Sequence, residues 1–248
     1  MATIRDVAKA AGVSVGTVSA ALNNSAPVSP RLSRRVFRAV EQVGYAPNSV
    51  ARSLRLGRTR TLALVISDIS NPFFASLAKA VERAADAAGY SLVLCNTDED
   101  PEKELRMIQL LRVQRVDGIM VAPAGFSADY AQRLAKIASM PVVLVDRTVE
   151  GLSFDDVVVD NVAAARIVTE YLIRLGHRRI AIVGGRPHVS TAEGRLRGYR
   201  EAMAAHGLPI EPGFELQADF QTERAFDVVQ TLLGRPNPPT AILAANNL

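Results

Sequence analysis

From residue 4 onward the apolar positions recur at helical spacing, with Ile4, Val7, Ala8 and Ala11 on one face. Gly12 supplies a residue suited to a left-handed turn, and Ser14 stands where it would cap a second helix whose inward face is Val18, Ala21 and Leu22. Two short helices joined through a glycine predict a helix-turn-helix, and the small residues suit helices that cross closely. "VSPRLSRRVFRAVEQVGY" then carries Ser29 as an N-cap, Pro30 in the first turn, an apolar stripe of Leu32, Val36, Ala39, Val40 and Val43, and Gly44 as a stop. That is the third helix of a small bundle. "PNSVARSLRLGRTR" shows one apolar face, Val50, Ala51 and Leu54, but is too short and basic to be a stable helix alone. It reads as a linker that becomes helical only on binding a partner.

After residue 60 the pattern changes to apolar runs alternating with amphipathic stretches. "TLALVIS", "YSLVLCNT", "VDGIMVAP" and "PVVLVD" read as strands, separated by helices in "PFFASLAKAVERAADAAG", "PEKELRMIQLLRVQR" and "SADYAQRLAKIA". After "VVVDN" the rhythm restarts with the helix "VAAARIVTEYLIRLG", the strand "RRIAIVGG", the helix "TAEGRLRGYREAMAAHG", "ELQADF", a helix over 222–233 and the strand "TAILAAN". Strands separated by helices imply parallel sheets covered on both faces, with ligands bound beyond the carboxyl ends of the strands. The predicted fold class is therefore α/β: a small all-helical headpiece over 1–58, then a two-lobed domain over 59–248. The restart divides that domain into lobes at about residues 160 and 161.

Charge sharpens this division. The 248 residues carry a formal net charge of +4. Residues 1–60 hold ten Lys or Arg against Asp6 and Glu41, which leaves the rest of the chain mildly acidic. A basic head on an acidic body is the footprint of a polyanion-binding module joined to something else. Arg5, Asp6 and Lys9 interrupt the start and no apolar run is long enough to span a bilayer, so the expectation is a cytoplasmic protein with no membrane partner. Cys95 is the single cysteine and has no internal disulfide partner; its apolar run "YSLVLC" points to a buried, inert thiol. His177, His188 and His206 lack metal-ligand spacing, "VGGRPHV" lacks the third glycine of a dinucleotide fingerprint, and there is no P-loop. No catalytic residue, metal or cofactor is expected, and an oxidoreductase reading finds no motif to support it.

Residues 3–56 resemble the headpiece of the LacI/GalR family of bacterial transcription regulators. They carry almost intact its pattern "T-I-x-D-V-A-x-x-A-G-V-S-x-x-T-V-S-x-x-L-N" followed by "Y-x-P-N-x-x-A-R-x-L". The resemblance implies that Thr3, Ser14, Thr17, Ser19, Asn23 and Asn48 hold the duplex backbone while Val15, Gly16 and Ala20 occupy the base-reading positions. It further implies that Leu54, with Arg52 beside it, wedges into the minor groove at the operator centre. Where the family commonly has arginine after "T-V-S", this chain has Ala20, so weaker direct readout of guanine is expected.

The body resembles the periplasmic sugar-binding-protein fold that this family shares. That resemblance puts Asn71, Phe73, Phe74, Asp146, Arg147, Arg195, Phe220 and Asn246 around an effector cleft. Aromatic faces there would pack on the C–H side of a sugar ring while Asp, Asn and Arg satisfy its hydroxyls. Asp160 and Asn161 most simply cap the helix that opens the second lobe. The implied protein is a repressor, acting as a homodimer on a near-palindromic double-stranded operator and controlled by a small-molecule effector, a sugar. A solute-binding protein without DNA function is the alternative. Because the family's pattern runs on beyond "AANN", the resemblance also leads one to expect an incomplete second lobe, exposed sheet edges, and weak or absent effector binding by these 248 residues.

Overall fold

A computed structural model describes residues 2–23, 26–45, 58–219 and 222–246. The chain divides into two compact units, Met1–Thr59 and Arg60–Leu248.

The first unit contains α1 (Ile4–Ala11), α2 (Val15–Asn23) and α3 (Pro30–Val43). Its core is Val7, Ala8, Ala11, Val18, Val36 and Ala39, with Ile4, Val13, Ala21, Leu22, Val40 and Val43 packed around it. Gly12 ends α1 at φ +59, where a side chain would be strained, and the chain turns there into α2. The Arg35 guanidinium reaches back from α3 and donates to the carbonyl of Ala11 at 2.6 Å. It thereby satisfies one of the carbonyls orphaned at the end of α1. Ser29 accepts from the Leu32 N–H at the start of α3. Leu32 itself is only half-buried and lies outside the core.

In the second unit, lobe one is built on five parallel strands ordered β2-β1-β3-β4-β5: β1 (Thr61–Ile66), β2 (Ser91–Asn96), β3 (Gly118–Val121), β4 (Val142–Val145) and β5 (Asp155–Val157). Strand periodicity sends alternate side chains of β1 to opposite faces. Ala63 and Val65 join a core with α5 (Pro101–Val113) and α6 (Ala128–Ile137), while Leu64 and Ile66 meet Phe74 and Leu77 of α4 (Pro72–Ala87). Both faces of β1 are covered, which is why its sequence is an unbroken apolar run.

Two details differ from the sequence reading. β2 is an edge strand: Val93 and Leu94 are exposed, and Cys95 is half-buried, its thiol pushed up in pKa by that burial. β5 was not expected, because "DDV" is exposed and has no apolar signature; it forms by pairing with β4.

Lobe two has three described parallel strands ordered β7-β6-β8: β6 (Ile180–Gly184), β7 (Glu215–Gln217) and β8 (Ala241–Ala244). Ile180 and Ile182 face α7 (Asn161–Arg174) and α8 (Ser190–Ala205), and Ala181 faces Leu232 of α9 (Thr222–Leu233). α8 approaches α7 through Gly194 and Gly198; a Cβ on Gly198 would stand 2.1 Å from the Val162 carbonyl oxygen. Among the described residues no helix is long and apolar enough to cross a membrane.

Candidate effector cavity and nucleic-acid-reading helix

In the first unit, α2 starts where the Ser14 hydroxyl accepts the Thr17 N–H at 3.1 Å, and the Thr17 hydroxyl lies 3.0 Å from the same oxygen. Burying Val18 turns the opposite face outward: Val15 and Gly16 are exposed and Thr17, Ser19, Ala20 and Asn23 half-buried. Asn23 ties its amide to the Ser19 carbonyl at 2.8 Å. Thr3 is engaged locally, its N–H and hydroxyl both donating to Asp6 at 2.8 and 2.7 Å. Those bonds hold the Asp6 carboxyl below its usual range. α2 has no acidic residue in its first turn, so its positive dipole end is uncompensated and suits a phosphate. Arg35, one of the ten basic residues of the first sixty, caps α1 through the Ala11 carbonyl. Asn48, Arg52 and Leu54 lie outside the described residues.

In the second unit, a cavity of about 330 Å³ opens at the carboxyl ends of the strands. Asn71, Phe73, Phe74, Asp146, Arg147, Arg195 and Asn246 all line it, whereas Phe220 lies outside the described residues. Asn71 caps α4 by accepting the Phe73 N–H at 2.9 Å, leaving its NH2 end to offer a ligand. The capped turn sets the two rings edge to face, centroids 5.2 Å apart. Phe73 is 39% exposed and Phe74 only 2%, so Phe73 is the available platform and Phe74 the core residue beneath it. The Arg147 guanidinium sits 5.9 Å from the Phe74 ring centroid.

Asp146 follows β4 with φ +65, a conformation that costs a non-glycine residue about 1–3 kcal/mol and tends to persist at functional sites. Burial raises its carboxyl pKa, opposed by the charges of Arg147 and Arg195. Arg195, on α8 of lobe two, donates from Nε to Asn161 Oδ1 at 2.8 Å and from Nη1 to the Ala245 carbonyl at 2.6 Å. Burial lowers its pKa, and Asp146 works against that. One cavity is thus walled by a lobe-one carboxylate and a lobe-two guanidinium.

Three participants were missed by sequence reasoning. Glu99 grips Arg147 through both carboxylate oxygens at 2.7 and 2.8 Å, while Arg147 also donates to the Pro123 carbonyl at 3.1 Å. Burial disfavours the Arg147 charge, and Glu99, Asp146 and Glu104 together outweigh it to raise its pKa. Asp68, just after β1, also lines the cavity. Asn161 is the third. Asp160 does cap α7, accepting the Ala163 N–H, but Asn161 serves instead to anchor Arg195. The only signal for Glu99 and Asp68 was their position after strand ends; for Asn161 there was none, since its partner is 34 residues away. Among the described residues no group of His, Cys, Asp and Glu is arranged to hold a metal ion.

Comparison with known proteins agrees with this architecture. Residues 59–248 match the family described as periplasmic binding proteins and sugar binding domain of LacI family, and residues 3–48 match the bacterial regulatory proteins of the lacI family. The HTH-type transcriptional regulator DegA of Bacillus subtilis is 38% identical over 99% of this chain and 73% of its own length. The ribose operon repressor of Escherichia coli K12 is 37% identical over 100% of this chain and 75% of its own. A crystal structure of a putative ribose operon repressor from Burkholderia thailandensis superposes with a TM-score of 0.69 at 34% identity, covering 77% of this chain and 70% of that one. With both of its units matched in sequence and its lobes matched in fold, the chain belongs to the LacI family of bacterial regulatory proteins.

Proposed function

We propose that the protein is a sequence-specific DNA-binding repressor, without enzymatic activity, whose operator affinity is set by a small polyhydroxylated effector of the sugar class. It works in the cytoplasm as a homodimer, two headpieces meeting two half-sites of a near-palindrome. Thr3, Ser14, Thr17, Ser19, Asn23 and Asn48 grip the duplex backbone, Val15, Gly16 and Ala20 face the bases, and Leu54 with Arg52 engages the operator centre. In the effector cavity Phe73 stacks on the apolar face of the ring. Asn71, Asp146, Arg195 and Asn246 take its hydroxyls, Arg147 and Phe74 support them, and the family resemblance adds Phe220 as a further effector contact.

The observation that carries this reading is the pairing of Asp146 and Arg195 across one cavity: a ligand bonded to both is sensitive to the lobes' relative position. Such a ligand favours one lobe arrangement over another, and coupling between sites in regulators is typically about 1–3 kcal/mol. The relatives named above support the regulatory role, and the basic first unit supports a polyanionic partner. The test is selection of an operator from random duplexes, followed by anisotropy titration with and without a panel of neutral pentoses and hexoses. A salt-sensitive operator complex whose affinity shifts about 5–150-fold with one sugar is expected. Absence of duplex binding by folded dimer would leave the solute-binding alternative.

A further inference from the structure

The cavity's charged groups are not disposed as an anion site. Three carboxylates, Asp68, Glu99 and Asp146, face two guanidinium groups, Arg147 and Arg195. Each guanidinium is already turned onto the protein. Arg147, 5% exposed, has Nη1 and Nη2 both held by Glu99, with Nη1 shared to the Pro123 carbonyl. Arg195 is engaged by Asn161 and by the Ala245 carbonyl. A bidentate fork is the feature that makes arginine a strong phosphate receptor, and on Arg147 that fork is occupied.

Glu99 is fixed in this role. Its backbone is in the left-handed region, φ +58, directly after Asp98 at φ +55. Its N–H donates to the Ser67 carbonyl at 2.9 Å, and Arg186 of lobe two donates to its own carbonyl at 3.1 Å. The backbone that carries the carboxylate is therefore anchored by contacts from both lobes, and the side chain itself is only 12% exposed against Arg147. It is not a surface side chain free to swing away.

Resting on the effector reading above, we propose that Glu99 is a specificity-determining residue: by occupying Arg147 it restricts the cavity to uncharged polyhydroxylated effectors and excludes phosphorylated ones. A phosphoryl group entering here meets an excess of carboxylate and no open guanidinium fork. Neutral hydroxyls can still donate to Asp146 and accept from the remaining N–H groups of Arg195.

The test compares the full chain with its Glu99→Gln variant by calorimetry at millimolar ligand. The probes are D-ribose, D-fructose, ribose 5-phosphate, fructose 1-phosphate and inorganic phosphate. In the unsubstituted protein each sugar phosphate is expected to bind at least about tenfold more weakly than its parent sugar, and inorganic phosphate not at all. In Glu99→Gln, Arg147 is released and inorganic phosphate binding becomes measurable at millimolar ligand, a gain that salt suppresses. A sugar phosphate binding the unsubstituted protein as tightly as its parent, or a folded Glu99→Gln protein with no gain in phosphate affinity, overturns the proposal. If Glu99→Gln does not fold, the comparison of sugars with their phosphates on the unsubstituted protein decides alone. If no neutral sugar binds but Glu99→Gln acquires phosphate, the sugar reading falls while the role of Glu99 stands.

Discussion

Glu104 shows how one buried carboxyl supports the cavity without entering it. Fully buried on α5, it accepts the Ala124 N–H at 2.9 Å and the Tyr130 hydroxyl, and so fixes the loop after β3 whose Pro123 carbonyl receives Arg147. Burial outweighs both donors and the nearby Arg147 charge, pushing its pKa from 4.5 to about 7. The folded state therefore takes up a proton that the unfolded state has already lost between those values. Stability contributed here is present below pH 4.5, declines as pH rises toward 7, and changes no further above it. Urea unfolding of Glu104→Gln at pH 5 and pH 8 tests this: relative to the unsubstituted protein, the variant gains stability on going to pH 8. Equal differences at the two pH values would remove Glu104 as the titrating group. On α2, the Ala20 position is argued in the same way from chemistry. Ala20→Arg places a guanidinium fork at a proposed base-reading site, worth about 1–3 kcal/mol toward guanine, and binding-site selection with the variant should enrich guanine symmetrically in both half-sites.

At the scale of elements, the packing of α8 on α7 determines whether Arg195 reaches its place. Gly194 and Gly198 bracket Arg195 on α8, and at both positions the neighbouring helix stands where a side chain would be: Asn161 Cβ at 2.9 Å and the Val162 carbonyl oxygen at 2.1 Å. Gly198→Ala gains helix propensity but drives backbone into backbone, and overpacking of this kind costs about 1–3 kcal/mol. Thermal unfolding should show a lowered midpoint for Gly198→Ala, and the displaced α8 should weaken effector binding as well. An unchanged midpoint would mean the helices separate at no cost. These glycines also mark where the sequence stopped being legible. "GRLRGY" sits in a clear amphipathic stretch, so the helix was readable, but a glycine pair that admits a neighbouring helix looks the same as one that merely weakens its own. The strands β1, β3, β4 and β6 were legible because burial on both faces demands uninterrupted apolar residues. β5 was not, since three exposed residues form a strand only because β4 offers them an edge. Among cavity residues, those after strand ends or in motifs were readable. The Glu99–Arg147 and Asn161–Arg195 pairs, 48 and 34 residues apart, depend on tertiary geometry that no local pattern encodes.

For the whole molecule, the division into two units makes the proposed DNA reading and the proposed effector sensing separable by mutation. The first unit has its own core, from Val7 on α1 to Ala39 on α3, and the described residues that line the cavity all belong to the second. Packing of α2, with its proposed reading face, therefore draws on none of the described cavity residues. Asp146→Asn replaces a charged acceptor by an amide of nearly the same volume. It removes the carboxylate that sits near Arg195 in the cavity, and with it the charged acceptor through which the proposed effector would join the lobes. A hydrogen bond to a charged group is worth about 1.5–3 kcal/mol, comparable to the whole coupling expected between the sites, so its loss should nearly abolish the effector response. Operator affinity without effector should keep the salt dependence of the unsubstituted protein, because that slope counts phosphates neutralised by the basic unit. Anisotropy titrations of Asp146→Asn on the selected operator, across a series of salt concentrations and with and without sugar, read both quantities in one experiment. A variant that loses its salt-dependent operator binding together with its effector response would show that the two units fold or act as one, and the separation drawn from their independent cores would fail.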